Sequence, residues 1–255
     1  MKKENNQSNE VNVSRRNLLA ETGKIAVGAA LLSAGGGLLN RAGAADAPKQ
    51  TPWGYVKLDP RKTADLAYEN WYKHYCCYAV TAAIVDQLRE KVGGAYQHLP
   101  AEAFIWGHGG AVGWGTLCGT LNGAGIVTSF AAGKEGEAIL NDVIAWYGDT
   151  ELPIYKPANP KATFKSTNIS DSPLCHVSVG KWMKKEGVSL KSPERKDRCA
   201  RVAADVAYHT VVLLNKWADG TYEAEHGSQS AEYGITAQNN CTECHGNDVP
   251  EPKEI

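Results

Sequence analysis

The sequence predicts a mainly α-helical protein, a bundle-like body followed by an irregular C-terminal tail. Three observations predict it. Apolar residues recur every three or four positions over long stretches, capping signals bracket those stretches, and strand-like alternation is almost absent. With 43% hydrophobic and 22% charged residues, the 255-residue chain has ordinary globular composition and enough apolar surface for a core. Its formal net charge of -1 argues against a nucleic-acid binder, which carries a basic excess.

The elements follow in order. Residues 45–62 hold Pro48, Pro52 and Pro60 and read as irregular. Thr63 to about Val92 reads as one long helix, with Val80, Ile84 and Leu88 at i, i+4 and i+8, Cys77 on the same stripe, and Gly93-Gly94 as the stop. From Pro100 to Ala132 small residues dominate, among them Gly107, Gly109, Gly110, Gly113, Gly115, Gly119, Gly123 and Gly125. Small residues let backbones approach each other or a bound group, so this region reads as a glycine-rich loop and then a tightly packed helix around residues 116–130. Glu135–Tyr147 is a short amphipathic helix, and residues 148–173 form a connector with Pro153, Pro157, Pro160 and Pro173. Leu174 to about Lys185 is a short helix ended by Gly187. Ser192-Pro193-Glu194 supplies an N-cap, a proline at the first helical position and a first-turn acid. The helix it opens runs to about Trp217, with Val202, Val206, His209, Leu213, Leu214 and Trp217 on its apolar stripe and Asp219-Gly220 at its end. The tail beyond is polar.

The first 44 residues read as an address rather than as fold. Ser14-Arg15-Arg16-Asn17-Leu18-Leu19 is a twin-arginine pattern, an apolar stretch runs from about Ile25 to Leu39, and Ala42-Gly43-Ala44 is a small-residue cleavage site before Ala45. The apolar stretch is short for a span, which needs about 20 apolar residues. The alternative is an uncleaved N-terminal anchor. Cleavage leaves a mildly acidic chain, a periplasmic localisation and no stable membrane insertion. The expected organisation is a signal peptide over 1–44, a helical cysteine-rich body over 45–218 and a haem-binding tail over 219–255.

The most specific motif is Cys241-Thr242-Glu243-Cys244-His245, the C-x-x-C-H pattern of c-type haem attachment. Two thiols add to the two vinyl groups of haem as thioethers, and the adjacent histidine reaches the iron. A redox C-x-x-C would open a helix beside a strand, and a zinc ribbon would need a second C-x-x-C; neither context is present. One motif means one haem c per chain. Cys241 and Cys244 hold the porphyrin and His245 is the proximal ligand. The distal ligand is a histidine among His74, His98, His108, His176, His209 and His226, since Met183 lies in a lysine-rich stretch. His209, on an apolar stripe, and His226, nearest the motif, are the candidates. A bis-histidine iron suits electron transfer rather than ligand activation.

Five cysteines remain: Cys76, Cys77, Cys118, Cys175 and Cys199. They are suited to disulfides in an exported protein, to buried free thiols, or to a cluster, for which four thiolates suffice. Tyr75-Cys76-Cys77-Tyr78, the stretch from Gly113 to Gly123 around Cys118, and the single Cys175 and Cys199 resemble a family of redox proteins described by a C…GCAxxG…C…C pattern. With the haem motif added, residues 63–250 resemble the split-Soret cytochrome c family. Cys118 departs from the pattern in being preceded by Leu117.

The resemblance implies a homodimer with haems gathered at one end, an axial histidine that one subunit can donate to the other, and an iron–sulfur cluster, 2Fe–2S type favoured, on Cys76, Cys118, Cys175 and Cys199. Adjacent helical residues point about 100° apart, which leaves Cys77 to the core. Split-Soret cytochromes carry two haems per subunit, whereas this chain has one motif. The expectation is an exported electron carrier with redox protein partners. The alternatives are a haem and iron–sulfur oxidoreductase acting on a small substrate, and a disulfide-stabilised haem protein.

Overall fold

The computed structural model describes residues 50–227. Residues 1–44, read above as an export signal, and the motif residues Cys241, Cys244 and His245 lie outside the described residues. Five α-helices make up the body: α1 (Pro60–Lys91), α2 (Gly119–Ala132), α3 (Gly136–Asp149), α4 (Cys175–Glu186) and α5 (Pro193–Ala218). Short 3-10 turns at Gly94–His98, Ala101–Phe104 and Gly133–Glu135 join them. Among the described residues the only β pairing is two isolated bridges, Leu117 with Leu174 and Leu152 with Asn168. The mainly helical expectation holds.

Helix starts are set by local chemistry. The Asp59 side chain accepts from the backbone N–H groups of Arg61 and Lys62, and Pro60 follows at the first helical position. Ser192 caps α5 through Arg195 N–H, again with a proline next. The packing of α1 against α5 is the main seam of the bundle. Both helices bury alanines there, Ala64, Ala67, Ala79 and Ala83 from α1, and Ala200, Ala203, Ala204 and Ala207 from α5. Small side chains let the two axes come close. Around the seam, Trp71, Tyr96, Tyr147, Ile84, Leu88, Leu121 and Leu214 are fully buried, each aliphatic side chain contributing about 1.5–3 kcal/mol.

Two boundaries differ from the sequence expectation. The first helix is not continuous: His74 (φ -142°) and Tyr75 (φ 64°) break it. The cause is tertiary. The Cys77 N–H, which a continuous helix would bond internally, donates instead to Gly107 O at 3.2 Å, and the Tyr75 ring packs on Trp71 and His108. The glycine-rich helix also starts later, at Gly119 rather than near residue 116. Cys118 N–H is taken by Pro173 O, and Thr116 O accepts from Cys175 N–H, so residues 116–118 pair with the chain entering α4. The connector between α3 and α4 is tied down by Asp205, whose carboxylate accepts from the N–H groups of Ile154 and Tyr155 at 2.9 and 2.7 Å.

Candidate metal centre

Four of the five described cysteines come from four separate segments and meet at one buried end of the bundle. Cys76 opens the second half of α1, immediately after the break. Cys118 is the N-cap of α2, Cys175 is the first residue of α4, and Cys199 lies in the second turn of α5. Three of the four thus sit at helix N-termini, where the partial positive charge of the helix favours an anion. All four are buried free thiols, as is Cys77. No disulfide joins any of the five.

The glycines explain how the segments come so close. A side chain on Gly119 would bring its Cβ within 1.9 Å of Gly107 O and 2.8 Å of Cys76 Cβ, and one on Gly107 would meet Cys77 Cβ at 2.4 Å. Glycine is required at both because backbone and cysteine fill the space. Cys77 is wedged under Gly107 and fully buried, as a core residue, and burial pushes its thiol up to about 12.

Polar groups point at the sulfurs. Trp71 Nε1–H donates to Cys76 Sγ at 3.3 Å, and the Thr120 hydroxyl lies 3.2 Å from Cys118 Sγ. The neighbouring Cys175 thiol, helped by the Thr120 hydroxyl, lowers the Cys118 thiol to about 5 against the cost of burial. The same pairing holds the Cys175 thiol far above its usual range, with burial second. Burial raises the Cys76 thiol as well, and the neighbouring Cys118 and Cys199 charges add to it. Two further polar atoms, Tyr147 Oη and Arg198 Nε, are buried with no hydrogen-bond partner. Among the described residues no three Cys, His, Asp or Glu side chains form a closed cage for a single metal ion. The donor set is four sulfurs, surrounded by N–H and O–H donors and backed by a buried cation. That chemistry fits a polyanionic iron–sulfur group.

A second feature lies on α3. Asp142, 3% exposed, accepts from the Tyr222 hydroxyl at 2.7 Å and from the N–H groups of Glu225 and His226 at 3.0 Å each. His226 Nδ1 lies 3.1 Å from the same carboxylate. A carboxylate beside Nδ1 orients the ring, as the outer partner of a metal-ligating histidine does. The ring borders a cavity of about 450 Å³ with Lys134, Ala138, Leu140 and Ile144. His209 is built differently. It stacks on Trp146 at 4.1 Å and 9°, and burial, with Lys216 adding to it, lowers its pKa to about 4.

Sequence reasoning missed Trp71, Tyr147, Arg198 and Asp142. Two of them carried a readable signal. Arg198 stands four residues before Val202 on the apolar stripe of α5, and Asp142 falls between Ile139 and Trp146 on that of α3. A charge on an apolar stripe needs a partner or a ligand.

Comparison with known proteins agrees with this geometry. Residues 74–213 match the family model described as "Putative redox-active protein (C_GCAxxG_C_C)", a span that begins just before Cys76 and includes the other three site cysteines. The chain is 33% identical over 267 residues to the split-Soret cytochrome c of Desulfovibrio desulfuricans, covering 96% of this chain and 92% of the relative. It also resembles the solved structure described as a novel iron centre in the split-Soret cytochrome c from that organism, with a TM-score of 0.65 and 32% identity over 86% of this chain and 91% of the other.

Proposed function

From the premise that this chain belongs to the split-Soret cytochrome c family and is a redox protein, we propose that it is an exported electron carrier pairing one covalent haem with an iron–sulfur centre on Cys76, Cys118, Cys175 and Cys199. The observation that carries this reading is the convergence of those four cysteines from four separate segments onto three helix N-termini. The relative's iron centre supports it. The 2Fe–2S type remains the favoured one.

When bound, the two groups supply one-electron redox chemistry, and the protein's own residues set its conditions. Gly107 and Gly119 close the backbone over the cysteines and exclude water. Trp71 and Thr120 orient Cys76 and Cys118 and hold their charged forms. In the tail, Cys241 and Cys244 anchor the porphyrin and His245 is proximal. Of the two distal candidates, His226 is the better placed, because Asp142 orients its ring, either within the chain or across a homodimer. His209 is a packing residue against Trp146. Asp142 and Tyr147 are five residues apart on α3, about 7.5 Å of helix rise. This helix therefore links the His226 flank to the neighbourhood of Cys118.

The arrangement needs no acid–base pair and no substrate pocket, and the partners it calls for are other redox proteins. Periplasmic location follows from the twin-arginine segment, and the three-segment organisation from its cleavage. Iron, haem and acid-labile sulfide analysis of anaerobically purified protein, joined to a visible spectrum, tests the reading. The expected result is non-haem iron and sulfide beside one haem per chain. One iron per haem with no sulfide overturns it.

A further inference from the structure

We infer that Arg198 is the charge-compensating residue of the cysteine-held centre, a permanent cation buried beside it so that an added electron is met by positive charge. This rests on the iron–sulfur reading above.

The guanidinium is 1% exposed. Its Nη2 donates to Ser178 Oγ at 2.8 Å and to Asn168 Oδ1 at 3.3 Å, both neutral acceptors, and its Nε has no partner. Among the described residues no carboxylate forms an ion pair with it, whereas Arg201, one turn away, pairs with Asp197. A buried ion without a counter-ion is among the costliest features a fold can hold. A neutral side chain of the same size would fill this space at less cost, so the charge itself calls for an explanation.

Its surroundings supply one. Arg198 immediately precedes Cys199, and its acceptor Ser178 lies three residues after Cys175 on α4. Cys199, Tyr147 and Cys118 are the groups within electrostatic reach that favour its charged form. Asp205, two turns along α5, is within electrostatic reach but makes no ion pair with it, and the N–H groups of Ile154 and Tyr155 occupy its two oxygens. On this reading the negative charge that balances Arg198 is that of the group the cysteines hold.

The redox step balances simply. One electron enters the centre from a reductant, no bond forms or breaks, and Arg198 keeps its proton. The centre becomes one unit more negative beside a fixed positive charge. The cation thus favours the reduced state and raises the midpoint potential relative to a neutral residue.

The test uses the full chain, purified anaerobically, titrated with dithionite and followed by electron paramagnetic resonance. The centre of Arg198→Met is expected to have a more negative midpoint than the wild type, and Arg198→Lys, which keeps the charge, a midpoint closer to it. Asn168→Asp keeps shape and places a carboxylate at the guanidinium, and it is expected to lower the midpoint with the centre retained. The inference is overturned if Arg198→Met keeps the wild-type midpoint, or if the Lys variant falls as far as the Met variant. If Arg198→Met does not fold, a loaded Asn168→Asp at the wild-type midpoint overturns it. Wild-type protein without non-haem iron or sulfide defeats the iron–sulfur reading, and this inference with it. A loaded centre with an unmoved midpoint defeats the Arg198 inference alone.

Discussion

At the cysteine end of the bundle, backbones touch through Gly107 and Gly119, and Arg198 is buried whole. On the α3 flank only the carboxylate of Asp142 is buried, and the imidazole it holds borders a cavity of about 450 Å³. Both regions place a charge inside the protein, with opposite signs and for different ends. The first gathers donors around four sulfurs and is complete within residues 71–199. The second orients one histidine beside a cavity. A closed site is broken by adding atoms to it, and an open one by removing the residue that aims it.

That contrast orders the expected effects. The largest is at the cysteine end. Gly119→Ala must displace Gly107 O or Cys76, and overpacking that moves backbone costs about 3 kcal/mol. Thermal unfolding together with iron content measures it, and a variant with wild-type stability and full iron would show that the glycine contacts are not limiting.

Next is the α3 flank. His226→Ala is expected to leave stability and non-haem iron nearly unchanged while converting a low-spin haem to one that binds carbon monoxide, read in the visible spectrum. An unchanged low-spin spectrum removes His226 as distal ligand. Asp142→Asn should act through the same histidine and also cost about 2 kcal/mol, because a buried carboxylate accepting several hydrogen bonds is lost.

His209 supplies the control between the two regions. Its pKa in the folded protein is about 4, below the 6.5 of a free histidine, so the unfolded chain binds the extra proton. Its contribution to stability is full above about pH 6.5 and is lost as pH falls through about 4, on the order of 3 kcal/mol in all. His209→Phe keeps the stack on Trp146 and should flatten the stability profile over that window without altering the haem spectrum. A changed spectrum would restore His209 as a ligand. The smallest effect is at Trp114, which is 83% exposed. Trp114→Ser should change stability by about 0.5 kcal/mol or less in chemical denaturation.

Much of the fold was legible because its signals are local. The Ser192-Pro193 start, the Gly187 and Asp219-Gly220 stops and the periodic stripe of α5 depend on residues a turn apart. The break at His74–Tyr75 was not legible. It exists because Gly107, more than thirty residues away, takes the hydrogen bond that the helix gives up. The four cysteines could be named, but the role of Trp71 could not, since nothing in its own neighbourhood marks an indole as aimed at a sulfur.

By itself the sequence determined the helical class, the C-x-x-C-H pattern at Cys241, Cys244 and His245, and the supply of thiols, because helix periodicity and motif spacing are short-range properties. Only the tertiary structure decided which cysteines meet, which histidine is backed by a carboxylate, and that Arg198 is buried among neutral acceptors. Those outcomes depend on burial and on partners from other segments. Both are properties of packing, and they exist only once the segments have met.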